Sequence, residues 1–402
     1  MSPKNLRIGF VLLALALQFF LFFAVPRPGH IRPSAKAVRD VAGRLVQTNK
    51  NHDKGLKVAL SIGRLFPLLE IAYGTQADRH LVKWKEDMRK SQPKTYEMYK
   101  EQYPALAQLP LIGLIKKGTF SVENFLSGSK PDVFLLDITN LDAAKEQGIL
   151  TCLEKNGVQV VFTDFREDPH KHTIVSLRAV GEALGKRARF EAYIKLYEQK
   201  LAYIVSKLPK PDQKKSFFIE RGAGLTVGSD KNQVDTFGNM SIAQYIEELG
   251  LATNHGAKLL SNKTTGRVYV EALLADLPDV YFMMSNGWRR KKNKVGGIPF
   301  GPFSSKEKIQ KAFNALSERW WLKSSKLYAE KNIYSLDMVF YNSIYNIAAV
   351  EYIAKSLYPE LYAALDPART LREIQEIIGV DHRKNIVRFL KNSTCFWGMN
   401  DE

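Results

Sequence analysis

Short apolar runs, each ending in turn residues, recur along the chain and alternate with stretches of helical periodicity. Most runs are apolar at every position, which is typical of parallel strands covered by helices on both faces. The runs are Lys57–Ile62, Val133–Ile138, Val158–Thr163, Ser216–Ile219, Val280–Met284 and Ile333–Leu336. The helical patterns between them include Phe66–Tyr73, Ala143–Asn156 and Ile242–Leu249. This alternation predicts an α/β protein.

The middle of the chain differs, because residues 172–208 show a long helical pattern without a strand signal. Gly185 could mark a joint between two helices, and Pro209 stops the pattern. A long helix between two α/β halves would act as a rigid connector. By contrast, residues 65–118 are rich in aromatic residues and predict helices and loops inserted in the first half, whereas Val38–Val46 predicts a small hairpin around Gly43.

One segment of the sequence occurs twice. Residues 122–136 read V-E-N-F-L-S-G-S-K-P-D-V-F-L-L, and residues 270–284 read V-E-A-L-L-A-D-L-P-D-V-Y-F-M-M. Each copy contains a Val-Glu pair, a short helical stretch, a Pro-Asp turn and an apolar strand. The repeat predicts two lobes of similar build, with Glu123 and Glu271 at matching places.

The predicted architecture is α/β, with two lobes that are each a mostly parallel sheet flanked by helices, joined by a long connector helix. The expected boundaries are a signal or anchor segment and tether at 1–36, an N-terminal lobe at 37–168, the connector at 169–210 and a C-terminal lobe at 211–402. A chain of 402 residues is long enough for two full cores.

The N-terminus has the features of a targeting segment. Lys4 and Arg7 precede an uncharged, largely apolar run at Ile8–Val25, which a proline ends. The run is just long enough to cross a bilayer, and Phe22 occupies a position where a cleavage site needs a small residue. We therefore expect an exported chain that keeps this segment as a membrane anchor, with cleavage as the alternative.

The formal charge of +18 indicates either a solubilising surface or an anionic partner, and export disfavours nucleic acid as that partner. The spacing of Cys152 and Cys395 does not tell whether they pair. His170 and His172 are interpreted as a surface pair at a helix start, so no direct metal site is expected. No catalytic motif such as G-x-S-x-G or H-E-x-x-H occurs, and no enzymatic cofactor is expected.

The order and spacing of several segments resemble those of substrate-binding proteins of ABC importers for iron–siderophores, haem or cobalamin, the class III periplasmic binding proteins. The resemblance covers roughly residues 38–365. Its segments are D-V-A-G-R-L-V, S-I-G-R, the first copy of the repeat, G-V-Q-V-V-F-T-D, V-G-E-A-L-G-K, the second copy and A-K-S-L-Y-P-E-L-Y. The resemblance implies two lobes with the ligand in the cleft between them, and a helical connector should restrict hinge motion.

The resemblance also implies that Glu123 and Glu271 are docking glutamates, one per lobe, that meet arginine pockets on the membrane permease. A local explanation exists for the first, because Ser121 can cap a helix and the helix dipole favours a carboxylate in the first turn. That explanation does not account for a glutamate at the matching place in both copies.

Ligand contacts are expected from loops at the carboxyl ends of the strands, where open α/β sheets bind ligands. The predicted contacts are Arg64, Lys116, Thr119, Arg166, Arg221, Trp288, Arg289 and Tyr341, with Lys117 and Arg290 in the same loops. Arginine forks match carboxylates, and aromatic rings stack on flat ligands. Several acids offset part of this charge, namely Asp137, Asp164, Glu167, Asp168 and Glu220. The balance predicts an anionic ligand.

These features predict an exported solute-binding protein, in the periplasm or at the cell exterior, that captures a ferric siderophore and delivers it to an ABC permease. Within the same class, haem, cobalamin or another metal complex is the alternative cargo. A membrane-tethered α/β enzyme and a ligand sensor without a permease are alternatives from other classes. The repeated glutamate favours delivery over both.

Overall fold

The structure is a computed structural model that describes residues 37–223, 232–286, 288–289, 295–301, 304–379 and 396–399. The predicted signal or anchor segment and tether, residues 1–36, lie outside this part of the chain, and so does Cys395. Among the described helices, none combines the length and the apolar character needed to span a bilayer.

The first lobe is built on a four-stranded sheet whose strands all run parallel. The strands are β1 (Val58–Leu60), β2 (Leu81–Trp84), β3 (Val133–Asp137) and β4 (Gln159–Thr163), in the order β2-β1-β3-β4 across the sheet. The helices are α1 (Phe66–Tyr73), α2 (Ala77–His80), α3 (Met88–Ser91), α4 (Pro93–Gln102), α5 (Val122–Leu126), α6 (Leu141–Glu146) and α7 (Ile149–Lys155). Three strands coincide with predicted apolar runs. Strand β2 corrects the prediction that residues 65–118 contain only helices and loops.

The predicted hairpin before the first sheet is confirmed. The Val46 N–H donates to the Val38 carbonyl over 2.9 Å, and Gly43 takes the positive φ of 76° that the turn requires. The buried Asp40 carboxylate then accepts the N–H of Phe162 in β4 over 3.0 Å. This hydrogen bond attaches the hairpin to the β4 edge of the sheet, opposite β2.

The connector consists of two helices, α8 (Pro169–Ala183) and α9 (Arg187–Val205), rather than one continuous helix. Gly185 lies at the joint that the sequence pattern suggested, with a φ of +63°. A Cβ atom there would lie 2.6 Å from the His52 ring, so both the backbone conformation and the available space require glycine. The two helices pack against each other and against both lobes.

The second lobe contains a mixed seven-stranded sheet. Its strands are β5 (Ser216–Arg221), β6 (Gln233–Phe237), β7 (Thr253–Asn254), β8 (Thr265–Tyr269), β9 (Val280–Ser285), β12 (Ile333–Asp337) and β13 (Phe396–Gly398). A separate hairpin pairs β10 (Trp288–Arg289) with β11 (Val295–Gly296). The helices are α10 (Ser241–Glu248), α11 (His255–Leu259), α12 (Val270–Ala275), α13 (Lys306–Ser317), α14 (Trp320–Lys323), α15 (Lys326–Ala329), α16 (Asn346–Leu357) and α17 (Pro367–Ile378).

The strands of this sheet run parallel only in its centre. Its order is β13-β12-β9-β5-β6-β8, and β7 pairs with β5. Strands β12, β9, β5 and β7 pair in parallel, whereas β13, β6 and β8 join the sheet through antiparallel ladders. The predicted α/β class with two sheet-based lobes is confirmed, and the second sheet carries antiparallel edges that the apolar runs did not indicate.

The strand side chains divide into layers. In β3, Val133 and Leu135 point into a central apolar cluster, while Phe134 and Leu136 pack in a second cluster on the other face. Strand β5 behaves in the same way, with Phe217 in the central cluster and its neighbour in a third. The central cluster also contains the apolar residues of α8, α9 and α16, so the inner faces of both sheets and the connector share one core.

The repeated Pro-Asp turn has the same structural role in both lobes. Asp132 accepts the N–H of Lys57 at the start of β1 over 2.9 Å, and Asp279 accepts the N–H of Ser216 at the start of β5 over 2.7 Å. In each lobe the aspartate thus anchors the beginning of the neighbouring parallel strand. The sequence repeat therefore corresponds to a repeat in the fold.

Candidate ligand-binding cleft and surface glutamates

Tyr341 lies where loops from both lobes meet. It follows β12 through a single helical turn, which starts where Asp337 accepts the Val339 N–H over 2.9 Å. The guanidinium carbons of Arg64 and Arg166, from the first lobe, lie 5.7 and 5.5 Å from the centroid of its ring. These distances are typical of cation–π contact.

A second aromatic ring continues this arrangement. The ring of Phe237, at the end of β6, lies 5.7 Å from the Tyr341 ring between centroids, and the Arg221 guanidinium lies 5.8 Å from the Phe237 centroid. Three predicted arginines and the predicted tyrosine are thus brought together. Burial raises the pKa of the Tyr341 phenol above its ordinary value, although the three nearby arginines favour the ionised form.

Within the described residues, each of these arginines has one carboxylate within 4.0 Å. Arg64 Nε donates to Asp87 over 3.0 Å, and the same carboxylate accepts the Gly63 N–H, so Asp87 holds this loop in place. Arg221 lies 3.9 Å from the carboxylate of Asp235. Arg166 Nε lies 3.0 Å from Glu167, but it is buried and makes no hydrogen bond within the described part of the chain.

A pocket of about 280 Å³ opens at the carboxyl edge of the first sheet, beside Arg64 and Arg166. Among the described residues, the charged side chains that line it are all basic: Arg64, Lys85, Lys116, Lys117 and Arg166. Ser61, Thr139 and Asn140 add hydroxyl and amide groups. The predicted Lys116 therefore lies in the same pocket as two predicted arginines, and the pocket is suited to an anion.

The acids that were expected to offset this charge are largely engaged inside the protein. Asp137 accepts the Thr139 N–H over 3.1 Å and the Asn342 amide over 3.2 Å. Burial acts to raise the pKa of Asp164, but a 2.7 Å contact with His172 and three backbone N–H donors lower it below its ordinary value. Glu220, expected at the cleft, is only 1% exposed and pairs with Arg319.

Of the remaining predicted contacts, the structure places only Thr119 in a different groove. The Thr119 hydroxyl accepts the Leu114 N–H over 2.9 Å and lines a different groove. The backbone of Trp288 and Arg289 forms β10, but their side chains lie outside the described structure, and so does Arg290. Two contributors that sequence reasoning missed are Lys85, which follows the unrecognised β2, and Phe237, which ends an amphipathic strand.

The two histidines of H-K-H contact different carboxylates. His170 lies 3.0 Å from Glu248, and His172 lies 2.7 Å from Asp164. The Asp164 contact raises the pKa of His172, against the effect of burial. Within the described ranges, no group of three or more histidines, cysteines or acids is placed to hold a metal ion.

Glu123 and Glu271 occupy matching surface positions in the first turns of α5 and α12. Both are exposed, and within the described residues neither carboxylate has a basic partner within 4.0 Å. Ser121 caps α5 by accepting the Asn124 N–H over 3.1 Å, as the sequence suggested. Buried apolar side chains fix each helix to its lobe while the glutamate faces solvent, namely Phe125 in α5 and Val270 and Leu273 in α12.

A family model for periplasmic binding proteins matches residues 83–296. The chain belongs to the periplasmic binding protein family, whose members are solute-binding proteins rather than enzymes. The resemblance drawn from the sequence is confirmed at this level. A comparison with curated protein sequences gives no match.

Solved structures share the fold. The TroA-like periplasmic binding protein FepB from Veillonella parvula matches with a TM-score of 0.74 and 22% identity, over 90% of this chain and 99% of that one. CeuE from Helicobacter pylori, solved with Ni(II) bound, matches with a TM-score of 0.56 and 15% identity over 85% and 95% of the two chains. A siderophore periplasmic binding protein from the fuscachelin gene cluster of Thermobifida fusca gives 0.51 and 15% over 76% and 96%.

Proposed function

We propose that this protein captures an anionic ferric chelate between its two lobes and delivers it to an ABC permease. The observation that carries the proposal is the convergence of Arg64, Arg166 and Arg221 on the Tyr341 and Phe237 rings, beside a pocket whose charged lining residues, as far as the structure describes them, are all basic. A siderophore-binding protein and a Ni(II)-bound protein among the structures of the same fold support a chelated metal as cargo.

The chemistry of the cleft suits such a chelate. Guanidinium forks bind carboxylates and catecholates through two parallel hydrogen bonds, and the two rings provide an apolar floor for a flat or compact complex. In this proposal the metal stays in its chelator. Arg64, Lys116, Arg166, Arg221 and Tyr341 are the contacts we propose, with Trp288 and Arg289 on the adjacent hairpin.

The shared core favours loading with little movement of the lobes. Helix α8 packs on β4 of the first sheet and on α10 of the second lobe, and α9 packs on α1 of the first lobe and on α16 and α17 of the second. Hydrogen bonds also cross between the lobes at the cleft. Lys94 of α4 donates to the Pro299 carbonyl over 3.1 Å, and the Asn286 amide donates to the Ser91 carbonyl over 3.0 Å. Large hinge closure would break these contacts and open the core.

Binding should depend on the charge of the chelate. An anionic carboxylate chelate should bind more tightly than a neutral hydroxamate chelate, and Arg166→Ala or Arg221→Ala should weaken the anionic complex roughly 10- to 100-fold, since a charge-assisted hydrogen bond contributes about 1.5–3 kcal/mol. Added salt should weaken it further. Tryptophan fluorescence quenching with a panel of ferric siderophores, haem and cobalamin measures these affinities.

The matched control is Arg369→Ala, which removes an arginine that is 70% exposed and pairs with Glu373 on the surface. This variant should bind like the wild type. Equal or tighter binding of the neutral chelate, together with unchanged affinity in both cleft variants, would contradict the proposal. Tight binding of haem or cobalamin alone would keep the class and change the cargo.

We further propose that the protein stays attached to the inner membrane through residues 8–25, which lie outside the described structure. Carbonate washing of membranes should leave the mature protein in the pellet. Phe22→Ala creates small residues at both positions before a cut after Ala24, so this control should release the protein. Mature wild-type protein that begins near Val25 on N-terminal sequencing would contradict anchoring.

A further inference from the structure

The pocket at the carboxyl edge of the first sheet differs from the arginine and aromatic cluster beside it, because the described residues that line it all belong to the first lobe. The cluster, by contrast, includes Arg221, Phe237 and Tyr341 of the second lobe. The pocket's volume of about 280 Å³ lies below the roughly 300–1,000 Å³ usual for sites that enclose a whole ligand, whereas a cavity of about 150 Å³ already holds a benzene ring. The pocket therefore has room for one substituted aromatic ring, and the rest of a chelate would lie outside it.

Apolar side chains form the inner wall of this pocket. Ile62 and Phe120 line it and are only 8% and 9% exposed, and Leu114 is half-buried. The Phe120 ring stacks on the Phe134 ring with 6.0 Å between centroids and 9° between planes, so the first-lobe core holds this wall in place. An apolar group that enters the pocket loses its contact with water, which favours binding.

The neutral polar side chains of the pocket are already hydrogen-bonded to one residue, Asp137. The Ser61 hydroxyl accepts its N–H over 2.9 Å, and the Asn140 amide donates to its carbonyl over 3.2 Å. The Thr139 hydroxyl donates to its carboxylate. These groups therefore place little demand for polar partners on a ligand group inside the pocket.

The cations that line the pocket are more exposed than its apolar side chains and mark its mouth. Lys116 and Lys117 are exposed, and Arg64, Lys85 and Arg166 are half-buried. The short turn that carries both lysines is closed by a hydrogen bond of 2.9 Å between the backbone N–H before it and a threonine hydroxyl after it. The pocket thus changes from apolar at its inner wall to cationic at its mouth.

This change of polarity determines the kind of group that can enter. In an iron-bound aryl group such as a catecholate, the charged oxygens face the metal and the apolar edge of the ring points away from it. Such a ring enters edge first and leaves its oxygens at the cations of the mouth. A free carboxylate at the end of an aliphatic arm would instead place its charge against the apolar wall, where the loss of water is not compensated.

We propose that this pocket takes one iron-bound aryl arm of the chelate, so the preferred cargo is a catecholate complex rather than a hydroxycarboxylate complex such as ferric citrate. The proposal rests on the proposed function and narrows its ligand. Arg221 and the rings of Phe237 and Tyr341 then bind the part of the complex that stays outside the pocket. Selectivity for the arm lies in the first lobe, whereas attraction for the negative charge comes from both lobes.

The segment before the lysine turn supplies a matched pair of variants. Leu114→Trp narrows the pocket, and Leu111→Trp adds the same side chain to the same segment at a position that is 62% exposed and lines a different groove. Leu114→Trp should weaken binding of a ferric tris-catecholate about tenfold or more and change binding of ferric citrate less than about twofold, whereas Leu111→Trp should change neither. The wild type should bind the tris-catecholate about tenfold or more tightly than ferric citrate. Equilibrium dialysis with iron-55 measures these affinities without a signal from the added tryptophan.

If Leu114→Trp lowers the thermal midpoint, Leu114→Ala tests the same wall by truncation. It should weaken tris-catecholate binding about threefold or more through lost apolar contact and leave ferric citrate unaffected. Equal wild-type affinity for the two chelates, or Leu114 variants that weaken both equally or neither, would overturn the aryl arm. Arg221→Ala distinguishes this failure from that of the proposed function. It should weaken both chelates, and unchanged binding of both would overturn the anionic cleft itself.

Discussion

Cells whose only copy of this protein carries Glu123→Arg and Glu271→Arg should take up no ferric chelate, while the purified variant binds the chelate as tightly as the wild type. Each reversal would place an arginine against a permease cation, and removing one partner of a desolvated charge pair already costs about 2–5 kcal/mol. The two sites together would then prevent docking at any realistic concentration. Uptake of iron-55 chelate, measured alongside fluorescence titration, checks both halves of the result.

The control has to carry the same change in net charge. Glu360→Arg/Glu376→Arg reverses two other exposed glutamates, one after α16 and one on α17, and should transport normally. If this variant fails as well, the loss reflects the total charge of an already basic protein rather than the two docking helices. Transport that persists in the Glu123/Glu271 variant would show that the matching glutamates are helix-start residues without a partner.

Arg319→Met should lower the free energy of unfolding by about 3 kcal/mol. Arg319 binds both carboxylate oxygens of Glu220, at 2.8 and 2.5 Å, and the Tyr281 hydroxyl donates to the same carboxylate over 2.8 Å. Glu220 is almost fully buried, so the variant leaves an uncompensated charge inside the second lobe. The expected cost is at the lower end of the range for broken buried pairs, because 23% of the Arg319 side chain remains exposed. Urea denaturation followed by circular dichroism measures it.

Two further variants test whether the buried charge of Glu220 causes this loss of stability. Arg319→Met/Glu220→Gln removes the buried charge and should recover more than half of the lost stability, since a neutral amide can still accept the Tyr281 hydrogen bond. Arg369→Met breaks a surface pair and should cost less than about 1 kcal/mol. A loss for Arg319→Met as small as that of Arg369→Met would mean that water reaches Glu220.

The sequence predicts the central strands well because their burial on both faces leaves continuous apolar runs. It misses β6, Gln233–Phe237, and β8, Thr265–Tyr269, because these antiparallel strands near one edge of the sheet are only partly buried and resemble loops by composition. Strand β2 is missed for a different reason. It has four residues, one of them Lys83, and its burial depends on α5, which follows forty residues later.

Residues of the candidate site could be predicted only where the strand before them was recognised. Arg64, Arg166, Arg221 and Tyr341 follow strands that were recognised, so the strand-end rule places them together. Lys85 and Phe237 follow or end strands that were missed and could not be assigned. Glu220 pairs with Arg319, which is distant in the sequence, and Asp164, in a loop, contacts His172 in a helix. Residue spacing does not reveal such contacts.

The connector also defines which part of this protein can be exchanged between relatives. Arg189 of α9 donates to the Ile71 carbonyl of the first lobe and to the Ile378 carbonyl of the second, and Asn346 of α16 donates to Thr173 of α8 over 2.9 Å. Recombination that grafts one lobe onto a foreign partner would leave these groups and the central core mismatched. Changes of cargo should therefore arise through substitutions in the strand-end loops, with the two lobes and their connector inherited as one block.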